Sequence, residues 1–288
     1  MKSELWIPQF FIIHFSFKRA FPGKETMKMH FRLVILIVFL TCFGTMVLPG
    51  QDFRVENTLT SGNKTTKGVT LFVEGTVYDF IGSNGEIIVY EKQQQEIKIL
   101  EPTLRLQTSI KLEDLKAQID EMHVAFQRSE SPFLNFIAKP VFDETGYDAE
   151  SGLVVFRSLW ADYEFATRVF DDDAIAGEYY EYNLWLARLN VRLSPVAVSA
   201  MVRAGLNEYL ARNHRFPEKV SVKLYPKGKN VLSSTTVQGE STHVIMKRIA
   251  DSDLELLKRA KEYLESFRKV PFDSYQVELK KKTQPSQP

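Results

Sequence analysis

The sequence predicts an α+β fold: a curved antiparallel β-sheet, half-barrel-like, packed against several α-helices. Three observations predict it. Residues 52–110 carry apolar residues at a period of two, broken by turn residues. From Leu112 the spacing changes to three and four, the period of a helix. Helical runs then follow groups of strands instead of alternating with single strands, which excludes a βαβ series.

The elements follow in order. Val69, Leu71 and Val73 alternate along a first hairpin whose turn is marked by Ser61-Gly62-Asn63. Ser83-Asn84-Gly85 marks a second, because Asn and Gly both tolerate positive φ. Gly75, inside the run Leu71 to Phe80, predicts a bulge or bend in a curved sheet. Ile87 to Tyr90, Ile97 to Leu100 and Leu104 to Ile110 read as short strands. Leu112, Leu115, Ile119, Met122 and Phe126 form one helical stripe with His123 beside it. Ser129 to Pro140 reads as a loop with a short apolar turn, and strands resume at Leu153–Phe156 and Leu159–Phe170. Asp171-Asp172-Asp173 then precedes a helix to Leu193, where acids favour the positive N-terminal end and make a solvated cap the expected role. Ser194-Pro195 predicts a restart, Ser as N-cap and Pro at the first helical position, for a helix to about Arg212. Val220, Val222 and Leu224 alternate again, Pro226 to Asn230 turns the chain, and Thr235 to Ile249 returns with a break at Gly239. Ala250 to Phe267 reads as the final helix.

The N-terminal region has a different character. Leu33 to Leu48 is an uncharged stretch of 16 residues preceded by Lys28, His30 and Arg32, the pattern of a secretory leader. It is short for a spanning helix, which needs about 20 apolar residues. Gly50 is the expected last residue of a cleaved leader; left uncleaved, residues 33–48 would anchor the chain to the cytoplasmic membrane. Either way the rest is expected outside the cytoplasm, periplasmic or extracellular. Met27-Lys28-Met29 makes a more ordinary opening than Met1, so residues 1–26 read as a mis-called extension and 27–50 as the leader or anchor. Residues 51–279 then form a single α+β domain and 280–288 a disordered polar tail.

Composition narrows the function. The chain of 288 residues carries +1 overall, and residues 51–288 carry −3, because residues 1–50 hold six Lys or Arg and two acids. Nothing in this balance suggests nucleic acid. The single cysteine, Cys42, falls in the apolar leader, so a cleaved chain has neither disulfide nor thiol chemistry. No phosphate loop, dinucleotide fingerprint, HExxH or GxSxG occurs. Ser61 to Lys64 and Ser266 to Lys269 match SxxK without its companion motifs. No cofactor, metal or catalytic residue is therefore assigned. Aromatics are dense on the strands and the helix after them. Tyr78, Phe80, Tyr90, Phe156, Trp160, Tyr163 and Trp185 are the candidates to line an apolar cavity between sheet and helices, against the plainer role of core.

The strand Gly85-Glu86-Ile87-Ile88-Val89-Tyr90-Glu91 follows a curved hairpin and precedes the short strand Glu96 to Leu100. With the leader, this stretch resembles the exported lipoprotein-carrier (LolA-like) half-barrels over about residues 52–110. The block at 173–212 is larger than a carrier lid needs, and the helix before the first strand is missing. The resemblance implies an exported, non-enzymatic protein that handles a lipid or other apolar small molecule; no binding residue carries over. Two alternatives stand beside it. One is an envelope protein-interaction or scaffold protein, with another envelope protein as partner. The other is a hydrolase built on His123, His214 or His243 beside a carboxylate.

Overall fold

The computed structural model describes residues 51–82, 85–194, 199–229 and 236–283. Pro49–Pro288 forms one compact unit. Residues 1–50, read as extension and leader or anchor, the turn residues Ser83-Asn84 and the expected helix start at Pro195 lie outside the described residues.

Six strands come first: β1 (Phe53–Ser61), β2 (Lys64–Val73), β3 (Thr76–Ile81), β4 (Ile87–Glu91), β5 (Glu96–Glu101) and β6 (Leu106–Lys111). Helices α1 (Leu112–Gln127) and α2 (Pro132–Ala138) lead to β7 (Glu144–Asp148), β8 (Leu153–Arg157) and β9 (Ala161–Val169). Then come α3 (Asp173–Leu193), α4 (Ser199–Arg212), β10 (Arg215–Leu224), β11 (Val237–Met246), α5 (Asp251–Ser266), β12 (Arg268–Lys269) and α6 (Phe272–Thr283). The strands make one curved, unclosed sheet in the order β12-β6-β5-β4-β3-β2-β1-β11-β10-β9-β8-β7. Every pairing is antiparallel except β12 with β6, so the α+β fold with a curved antiparallel sheet is what the alternation predicts.

Local chemistry sets the turns. Between β1 and β2, Gly62 takes φ 56° as the first of two turn residues, the geometry a type II′ hairpin needs. Between β2 and β3 both Glu74 (φ 51°) and Gly75 (φ 75°) are left-handed, so the expected bulge at Gly75 is a type I′ hairpin that divides Leu71–Phe80 into two strands. Gly239 likewise breaks nothing: it pairs with Val222 inside a continuous β11. Asp172 caps α3, its side chain accepting from the Ile175 N–H, which is the capping role expected of the Asp run. Three elements are additions to the sequence reading, the short strand β12 beside β6 being one. β7, Glu-Thr-Gly-Tyr-Asp, is an exposed edge strand without apolar alternation. Helix α6 follows the expected last helix and runs into the stretch read as tail, with Tyr275 fully buried and Lys282 paired to Glu101.

Alternation sorts the sheet into two covered faces. On the back, Leu71, Tyr78, Phe80, Ile87, Val89 and Leu100 pack against Leu257 and Ala260 of α5. The buried Arg54–Asp253 pair, 3.1 Å, ties β1 to that helix. On the front, Phe53, Phe72, Ile88, Ile97 and Ile99 pack with α1 and with Tyr179 and Tyr182 of α3. A lateral front cluster sets Val154, Phe165 and Val220 against Val202, Leu206 and Leu210 of α4. Among the described residues no helix is long and apolar enough to cross a membrane.

Candidate binding site between sheet and helices

The front face changes character along four strands. In β1, Phe53 and Val55 give way to Asn57 and Leu59; in β2, Phe72 to Thr70 and Gly68; in β3, Val77 to Asp79; in β11, Ile245 to His243, Ser241 and Gly239. Where the large apolar side chains stop, α3 and α4 cannot close onto the sheet, and a cavity opens. It has a lobe of ≈ 450 Å³ reaching Tyr163, Val220 and Arg203, and one of ≈ 290 Å³ reaching Thr70, Asp79 and Tyr182. Leu59, Asn183, Leu186, Asn190, Ser241 and His243 line both, so the lobes are contiguous. Such volumes fall in the range of ligand sites, about 300–1,000 Å³. Leu59 is 54% exposed and Ile81 39%, so apolar surface meets solvent at the rim.

The floor is a ladder of hydrogen bonds across four strands. Asn57 Nδ2 donates to Thr70 Oγ1 (2.8 Å), and Thr70 Oγ1 donates to Asp79 Oδ1 (2.9 Å). Asn57 Oδ1 must then accept from His243 Nδ1–H (2.8 Å), which leaves Nε2 bare to accept from Ser241 Oγ at 3.0 Å. Tyr182 donates from α3 to Asp79 Oδ2 (2.9 Å). Every donor points toward Asp79. Burial raises the Asp79 pKa while the bonds from Thr70 and Tyr182 lower it, the first effect being larger. Burial, and after it the nearby Arg203 cation, push the His243 pKa down to about 3, so the imidazole is neutral at ordinary pH.

The predicted aromatic residues are not brought together here. Tyr163 lines the cavity. Trp160 lines a separate groove of ≈ 730 Å³ beside α2 and packs on Phe133. Tyr78 and Phe80 lie on the back of the sheet against α5, because they alternate with Val77 and Asp79. Tyr90 is front-face core and donates to Glu181 Oε1; Trp185 packs beside that core under Arg188; Phe156 is buried against Phe142 and Phe165. Of the histidines, His123 bonds the Ala138 carbonyl at the edge of a ≈ 540 Å³ groove between α1, α3 and α4, and exposed His214 meets Asp173 at 3.1 Å. His243 faces Asn57 and Ser241 with no carboxylate in direct contact. Of the ladder residues, Asn57, Thr70, Asp79 and Ser241 carry no aromatic signal and are not among the candidates. The available signal was Asp79, an acid in the middle of an apolar strand. Among the described residues no cluster of His, Cys, Asp or Glu could hold a metal ion.

No protein-family model matches the chain, and no curated protein is similar to it in sequence.

Proposed function

We propose that the protein is an exported, non-enzymatic binding protein for a lipid or other apolar small molecule, held between the front of the curved sheet and α3 and α4. The observation that carries this reading is the two-lobed cavity, with apolar walls at Leu59, Leu186 and Val220 and a polar floor whose ladder groups are paired within the protein. A satisfied floor needs no ligand to complete it, and the exposed leucine at the rim suits an apolar chain passing through. The uncharged stretch Leu33–Leu48 supports export, as does the resemblance of residues 52–110 to lipoprotein-carrier half-barrels. Native mass spectrometry of protein purified from its host tests the reading, with a bound lipophilic molecule expected. Asn190→Trp, an exposed α3 position on both lobes, should plug the mouth and lower the uptake of a lipophilic dye at least tenfold without lowering stability. Empty protein that takes up no dye would overturn the proposal.

A second reading, an acyl hydrolase, has one observation in its favour: the Ser241–His243–Asn57 series has the hydrogen-bond order of a nucleophile, a base and an orienting group. Against it, an imidazole pushed down to about 3 is a weak general base at neutral pH. Turnover of a p-nitrophenyl ester that Ser241→Ala abolishes would establish this reading; no turnover is expected.

A further inference from the structure

The buried guanidinium of Arg54 pairs with Asp253 at 3.1 Å. Arg203 has no carboxylate partner among the described residues. It stands on α4, lines the larger lobe of the cavity, and lies over the Phe165 ring at 4.5 Å. Its Nη1 is sealed from solvent and makes no hydrogen bond among the described residues. The titratable groups that act on it are the phenols of Tyr163, Tyr179 and Tyr180, with no carboxylate among them. One helical turn on, Asn207 lines the same lobe.

The acids of the cavity are already engaged. Asp79 accepts from Thr70 and Tyr182, and Glu240 pairs with Lys219 at 2.9 Å. A guanidinium with a sealed, unbonded N–H and no anion beside it is costly, and an aromatic face offsets only part of that cost. No described residue supplies that partner; an anion from outside the chain would. The space beside Arg203 has apolar walls at Leu59, Leu186, Leu193, Val220 and Val222, which suit an anion that carries an apolar chain.

We propose that Arg203 is the head-group receptor of the cavity, and that the ligand is a single-chain amphiphile with an anionic head, a carboxylate or a phosphate monoester. Both heads offer the paired oxygens that a guanidinium fork binds well. The His243 imidazole, neutral at ordinary pH, adds no second cation, which suits one anionic head. This inference rests on the carrier reading above, which requires only an apolar ligand.

The test measures the affinity of the full chain for oleate, oleyl phosphate and oleyl alcohol, three ligands with one tail. Oleate or oleyl phosphate, or both, should bind at least tenfold more tightly than the alcohol, and the order of the two anions identifies the head. Arg203→Gln should remove that preference, while Arg203→Lys keeps part of it. Alcohol binding equal to that of both anions, or an Arg203→Gln variant with undiminished anion preference, overturns the head-group assignment and leaves the carrier reading standing. Binding of none of the three overturns both. If Arg203→Gln does not fold, the wild-type comparison of oleate with methyl oleate decides, equal affinity being the negative result.

Discussion

Asp79, Thr70, Asn57, His243 and Ser241 are individually ordinary strand residues, and their order in space gives the cavity its polar floor. Because Asn57 both accepts from His243 and donates to Thr70, the imidazole has one tautomer, and protonating Nε2 would set a donor against the Ser241 hydroxyl in a desolvated position. This has a pH consequence. Unfolded, His243 takes a proton near 6.5; folded, only near about 3. Between those values the unfolded chain binds the extra proton, so acid favours unfolding. The contribution is intact above pH 6.5 and is lost as pH falls toward 3. Asp79, raised by burial, acts with the opposite sign, because its folded carboxyl takes a proton before the unfolded one does. Comparison with His243→Gln isolates the imidazole. Between pH 7 and pH 5 the wild type should lose about 1–2 kcal/mol more in urea denaturation than the variant, a figure reduced for the ring's partial exposure. Equal pH slopes would show that the ring is not desolvated.

The β2–β3 hairpin is the clearest case of an element whose type depends on two residues. Glu74 sits at φ 51°, where an L-residue other than Asn, Asp or Gly is strained by roughly 1–2 kcal/mol, and its N–H donates to Asp52 Oδ1 at 3.1 Å. Glu74→Asn supplies the Asn-Gly pair that a type I′ turn favours and should raise stability by about 0.5–1 kcal/mol, read as a higher urea midpoint at unchanged slope. Glu74→Val should lower it. A turn that answers to neither substitution would not have both residues left-handed. The same residues explain what the sequence reveals at this scale. Elements with strong periodicity are legible: the meander from β1 to β6, the stripe of α1, and α3 with its Asp172 cap. The β2–β3 turn was hidden because apolar residues run up to it on both sides and Glu74 carries no turn signal. β7 was hidden because an exposed edge strand needs no apolar residues. In α6 one residue, Tyr275, carries much of the burial, and its hydroxyl donates to Glu86 at 2.6 Å across 189 positions. No local pattern announces such a partner.

At the scale of the whole molecule, the cavity is a property of strand order rather than of any segment. The sequence shows aromatic density and predicts a space between sheet and helices, yet the residues that line it come from six strands, β1, β2, β3, β9, β10 and β11, and from α3 and α4, with β11 late in the chain. Register decided that Tyr163 faces the space while Tyr78 and Phe80 turn away. Seating β11 between β1 and β10 also makes one ladder of the two lateral halves, and Tyr180 packs against both front clusters. The two halves should therefore melt together. Pro49–Pro288 contains no cysteine, and its core closes within itself. A polypeptide of residues 51–288 should fold alone and unfold in one calorimetric transition. At roughly 0.7 kcal/mol per residue near 60 °C, its unfolding enthalpy is on the order of 160 kcal/mol. The van't Hoff and calorimetric enthalpies should agree, and neither a chelator nor a reductant should move the midpoint. Saturation with a cavity ligand at a hundred times its Kd should raise the stability of both halves together by about 2.7 kcal/mol, because the binding lobes are walled by elements of each. Two resolved transitions, only one of them shifted by ligand, would mean that the β11 junction does not couple the halves.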